Sequence, residues 1–187
     1  MKKIRTVFKW FLMVWGAVSL IGLLVVALIG AYSMRNFGVT ESDKTDKASK
    51  EDVRFILNWC RIGDSRTDEV LHSYESSRSF TGDHVDLYAI KVRDLSIVDL
   101  KAPSSDADGG WLRCDKLSPV FVDAVRLVSG FSRSDDRLWF PEEADLLSGK
   151  YYIWVWSVYL HGQRASSAQI IFANPETSTL YYSSVKT

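Results

Sequence analysis

From Trp10 to Tyr32 the chain carries no charged residue, and Lys2, Lys3, Arg5 and Lys9 stand directly before this run. About 20 apolar residues, rising ~1.5 Å each, cover the ~30 Å hydrocarbon core of a bilayer. The pattern therefore predicts one membrane-spanning helix over 10–32, with the lipid bilayer as its partner. The basic residues at 1–9 form a cytoplasmic tail, because positive charge resists translocation. Trp10 and Tyr32 then sit at the two interfaces, and the rest of the chain lies on the outer, or periplasmic, side of the plasma (inner) membrane. Ala31-x-Ser33 offers the small residues of a cleavage site. The run exceeds the roughly 7–15 apolar residues of a signal core, however, which favours a retained anchor. Ala27-x-x-x-Ala31 has the small-xxx-small spacing that lets helices approach closely.

Residues 33–50 read as a flexible linker, since 36–50 are polar with Phe37 and Val39 as their only large apolar side chains. A globular domain is expected over 51–187. Ser49-Lys-Glu-Asp52 has the form of a capping box. Behind it Val53, Ile56, Leu57 and Cys60 recur at helical spacing, with Gly63 as terminator. The stretch 64–77 is ambiguous between a helical turn at Val70/Leu71 and a strand at 72–76. Residues 84–92 alternate as a strand, so the two segments suggest a hairpin. SIVDL (96–100) reads as a short strand, APSSDADGG (102–110) as a loop, and WLRC (111–114) as another short strand. Ser118-Pro119 opens a second helix whose buried stripe is Val120, Phe121, Ala124, Val125 and Val128, ending at Gly130. A short helical piece follows Pro141.

The C-terminal third has period two. KYYIWVWSVYL (150–160), AQIIFA (168–173) and TLYYSSV (179–185) are separated by HGQR and NPETS, both good turn material. In the middle run Ala168, Ile170 and Phe172 share one face, and Ser167 and Gln169 the other, so that face is partly wet. The 150–160 run is apolar on both faces, with Tyr152, Trp154 and Trp156 on one and Tyr151, Ile153, Val155 and Tyr159 on the other. The expected fold is α+β: a hairpin plus a three-strand antiparallel meander, with two helices packed on one face.

The formal charge of zero conceals an asymmetry. Beyond Arg35 the chain has 18 basic and 23 acidic residues, a net charge of −5. Such a domain has no field to attract nucleic acid, which is excluded as a partner. Cys60 and Cys114 are a candidate disulfide, since an oxidising compartment permits one. No Cys-x-x-Cys or paired Cys/His spacing supports a metal site, and no cofactor motif occurs.

The densest polar stretch, His72 to His84, holds two of the three histidines. It supplies the residue types of acyl transfer but neither a Gly-x-Ser-x-Gly elbow nor a Ser-x-x-Lys. His72, Tyr74, Arg78, Asp83 and His84 are therefore candidates for binding an anion or a polar ligand. His84 and Asp86 share a strand face without an indicated third metal ligand. Tyr152, Trp154 and Trp156 form a second candidate surface, because Trp and Tyr dominate interface hot spots and flat rings stack on sugar faces. The expected function is a non-enzymatic accessory or interaction module of the cell envelope, binding another envelope protein or a glycan. The alternative is a small exported hydrolase built on the His72–His84 region.

Overall fold

The computed structural model describes residues 2–37, 48–101 and 110–187, which fall into two compact units, Met1–Glu41 and Ser42–Thr187. The described residues of the first unit form one helix, α1 (Lys2–Phe37). Among the described residues no helix is long and apolar enough to cross a membrane, which corrects the expectation of a spanning anchor at 10–32. The single-pass reading accordingly does not stand. Residues 38–47, most of the expected linker, lie outside the described residues, as do the 102–109 loop and the side chains of Ala31, Tyr32 and Ser33.

The second unit is α+β around a six-stranded antiparallel sheet. In chain order it contains α2 (Lys50–Trp59), β1 (Thr67–Glu75), β2 (His84–Val92), α3 (Ile97–Lys101), β3 (Leu112–Arg113), α4 (Pro119–Ser132), α5 (Glu143–Leu146), β4 (Tyr152–His161), β5 (Arg164–Asn174) and β6 (Thr179–Lys186). The strand order is β1-β2-β6-β5-β4-β3. The expected hairpin is β1–β2, the expected meander is β4–β5–β6, and the pairing of β2 with β6 joins them.

Local chemistry explains most boundaries. Ser49 and Asp52 form the reciprocal capping box at the start of α2, which satisfies two otherwise orphaned backbone donors. Ser96 and Asp99 repeat that arrangement, with the Ser96 N–H donating to Asp99 Oδ2 at 2.9 Å. The segment expected as a strand at 96–100 is helical instead, because this cap outweighs the β propensity of Ile97 and Val98. The helix α4 runs on past Gly130 to Ser132. Gly162, at φ +65°, supplies the left-handed position in the tight β4–β5 turn, whose flanking pair is His161 and Arg164.

The two main helices lie on opposite faces of the sheet, not on one. Val53, Ile56, Leu57 and Cys60 of the α2 segment pack with Val70, Ile90, Tyr152, Trp154, Ile171 and Leu180. Ala124, Val125 and Val128 of α4 pack with Leu87, Ile153, Ile170, Phe172 and Val185. Period two sends Ile170 and Ile171 to opposite faces, and both are fully buried, so each face must be covered. The same geometry separates the cysteines. Cys60 belongs to the α2 side and Cys114 to the α4 side, and both thiols are free and buried. The candidate Cys60–Cys114 disulfide is thus not formed in this structure, and burial pushes each thiol up to about 12.

Candidate functional site

On the α2 side of the sheet, strand register sorts side chains into rows that change character in steps. The first row, Val70–Ile90–Leu180–Ala173–Tyr152, lies beneath the helix; the second is Ser73–Tyr88–Tyr182–Ile171–Trp154. The third is polar from end to end: Glu75, Asp86, Ser184, Gln169 and Ser157, one from each of five strands. Beyond it come His84, Lys186, Ser167 and Tyr159. With only ten residues, α2 covers the apolar rows; in the polar row Glu75, Gln169 and Ser157 are partly exposed, while Asp86 and Ser184 are buried.

The polar row is wired in one direction. His84 Nδ1 lies 2.8 Å from the Gly82 carbonyl. A carbonyl only accepts, so Nδ1 carries the proton. In the neutral ring Nε2 then accepts from the Ser184 hydroxyl, 3.0 Å away. Ser184 Oγ in turn accepts from Gln169 Nε2 at 3.4 Å, and Gln169 Oε1 accepts from Ser157 Oγ at 3.3 Å. At the other end Tyr88 donates its hydroxyl to Glu75 at 2.6 Å, while Arg78 reaches Asp86 at 3.3 Å. The Asp86 side chain is only 13% exposed. Burial holds its carboxyl above the ordinary range, the His84 and Arg78 charges pull it down, and Glu75 pushes it up further. Burial, reinforced by the Glu75 bond and charge, also raises the Tyr88 phenol, keeping it a donor.

An aromatic border closes the α2 end of this ledge. Trp59 stacks on Trp156 with ring centroids 4.6 Å apart and planes at 9°. Phe55 meets both Trp59 and Tyr182 edge-on. Trp156 reaches this position through an irregularity: Val155 pairs with Ile170 and Ser157 with Gln169, leaving Trp156 as an extra residue in β4. The residue remains 50% exposed. The same bulge carries Tyr159 to the α2 face, across from Ser167, rather than to the face of Ile153 and Val155 as strict alternation implies.

The expected site residues divide between the two faces. Arg78, His84 and Trp156 belong to this ledge. Asp83 holds its hairpin loop, accepting from Thr81 Oγ1 at 2.5 Å and donating its N–H to Ser79 Oγ. Tyr152 and Trp154 are buried at 7% and 5% exposure; Trp154 carries Trp111 at its edge and the Arg61 guanidinium over its ring, so both are core. His72 and Tyr74 point to the α4 side. There His72 stacks on Trp139 at 5.1 Å, and the Arg137 guanidinium sits 4.1 Å from the Tyr74 ring. The two histidines of the polar stretch therefore share no site. Sequence reading passed over Glu75, Tyr88, Ser184 and Trp59. Among the described residues, no group of three or more His, Cys, Asp or Glu side chains is placed to hold a metal ion.

No protein-family model matches this chain, and neither a curated protein nor a solved structure is similar to it.

Proposed function

We propose that the chain is a non-enzymatic recognition module whose ligand sits on the polar ledge of the α2 face. One observation carries the reading: five polar side chains lie in register across five strands, directly beside a stacked tryptophan pair. Orientation by the hydrogen-bond chain prepares these groups to meet a partner with little loss of freedom. The aromatic border supplies apolar contact area next to them.

The hydrolase alternative has a specific obstacle. The serine bonded to a histidine here is Ser184, not a residue of the 72–84 stretch. Ser184 sits mid-strand in β6, paired with β2 on one side and β5 on the other. Its surroundings present ladder-bonded backbone, whereas an oxyanion hole needs N–H groups aimed at a reacting oxygen. A fluorophosphonate probe, which captures activated serines, tests this directly on the full chain. The expected result is no labelling of Ser184. Labelling that is lost in His84→Ala would overturn the binding reading in favour of catalysis.

A further inference from the structure

We infer that the ledge takes a neutral sugar, with one pyranose ring lying on the outer face of Trp156 and its hydroxyls read by Gln169 and Ser157. This inference deepens the recognition reading above and rests on it.

The indole comes first. One face of Trp156 is occupied by Trp59, stacked nearly parallel, yet half of the residue is exposed. A ring covered on one face and half open to water presents its other face. The stack also fixes the orientation of that face before any ligand arrives, so little rotamer freedom is lost on binding. A flat platform of this kind suits the C–H face of a pyranose.

Charge selects next. Ser157, Gln169 and Ser184, the row members on β4, β5 and β6, are all uncharged. The ion pair of Arg78 with Asp86 belongs to β2, three strand spacings or ~14 Å from β4. The row beside the indole is therefore uncharged and rich in donors and acceptors, while Lys186 in the next row is tied to the Thr81 carbonyl and Arg61 lies over the Trp154 ring. A charged ligand finds no counter-charge among Ser157, Gln169 and Ser184. A purely apolar one leaves the amide and hydroxyls stripped of water without partners. A polyhydroxylated neutral ring meets both demands, since each hydroxyl both donates and accepts.

The chain's wiring says which atoms remain for it. Gln169 uses one of its two amide hydrogens on Ser184 and receives Ser157 at its oxygen. Its second amide hydrogen and the second lone pair of its oxygen are the natural readers of a hydroxyl. Farther along, the Asp86 and Glu75 carboxylates are acceptors suited to a hydroxyl on a later ring. The ledge thus has the length of a short oligosaccharide rather than of a single ring.

The experiment uses isotope-labelled full-length protein and three neutral probes, cellotriose, maltotriose and chitotriose, with adenosine as an aromatic control. The Trp156 indole N–H is assigned by its disappearance in Trp156→Phe. At least one trisaccharide should shift that indole resonance and the Gln169 side-chain amide at millimolar concentration. Trp156→Ala should then weaken binding about tenfold, or ~1.4 kcal/mol, and Gln169→Leu should weaken it severalfold. Near-ultraviolet circular dichroism establishes that each variant is folded. Absence of any shift with all three sugars overturns the inference, as does sugar binding that both variants retain. A response to adenosine alone brings down the sugar assignment while leaving the recognition reading intact. Labelling of Ser184 by the fluorophosphonate would instead bring down that reading itself.

Discussion

The two faces of the sheet are built from the same strands yet obey different rules. On the α4 face the rows Tyr74–Leu87–Ser183–Ile170–Val155 and His72–Ala89–Tyr181–Phe172–Ile153 stay largely apolar across five strands. On the α2 face the rows pass from aliphatic to aromatic to polar within three steps along the strands. Adjacent residues of β6 show the contrast in miniature. Ser183 is fully buried on the α4 face, and its hydroxyl has no partner among the described residues. Ser184, one position on, holds both His84 and Gln169. One face is thus built for cohesion and the other divides its area between cohesion and recognition.

The largest effect should come from breaking the dry face. Phe172 is fully buried there and meets Phe140 edge-on, so Phe172→Ala should cost ~3–5 kcal/mol of stability in urea unfolding. A loss below about 1 kcal/mol would show that the face is not close-packed. Next comes Ser184→Ala, which strands the Gln169 amide and the His84 ring and should cost about 1–2 kcal/mol. Its neighbour sharpens the comparison by sign. Ser183→Ala removes a hydroxyl that gains nothing from burial and should raise stability by about 1 kcal/mol in the same assay. A loss from Ser183→Ala would indicate a partner on the dry face.

The smallest effect concerns pH and only the wet face. Burial raises the Asp86 carboxyl above its unfolded value, so the folded state holds a proton that the unfolded state releases. Stability from this group is fully present below the ordinary carboxylate range and falls as pH rises through the raised value. Asp86→Asn should flatten that slope and leave the variant no less stable than the parent at neutral pH. Chemical denaturation at a series of pH values measures it; an unchanged slope would remove Asp86 as its source.

Much of this architecture is legible in local sequence. The Ser49–Asp52 cap, the buried stripe of α4 and the three period-two runs each depend on neighbours within about four residues, the range at which pattern reports reliably. The alternation of Ser167 and Gln169 against Ala168 and Ile170 already marks a wet face. What local pattern cannot supply is register between distant strands. The contact of His84 with Ser184 joins residues 100 apart in sequence, so the polar row does not exist until β2 meets β6. Nor does periodicity assign helices to faces: the two-sided apolar pattern of β4 requires two covers without saying which helix supplies each. Trp154 and Trp156 look equivalent in the sequence, and only the position of α2 together with the irregularity at Trp156 makes one core and the other surface.

The irregularity at Trp156 acts on β4 as a frameshift acts on a message. Upstream of it even-numbered residues face α2; downstream the odd-numbered Ser157 and Tyr159 do, and Val158 turns to the α4 side, where it packs on the core. A second irregularity between Tyr159 and Leu160 restores the original pairing frame at the hairpin end, where Leu160 meets Ala165 and His161 meets Arg164. The pair behaves like an insertion and its suppressor, with a three-residue cassette, Ser157–Tyr159, read out of phase between them. Deleting Trp156 alone would therefore remove the ring and the irregularity together, making Val155 and Ser157 consecutive. Ser157, Val158 and Tyr159 would keep their faces and their partners Gln169, Ala168 and Ser167, so the cassette tolerates loss of the inserted letter and is put out of place only by a second one.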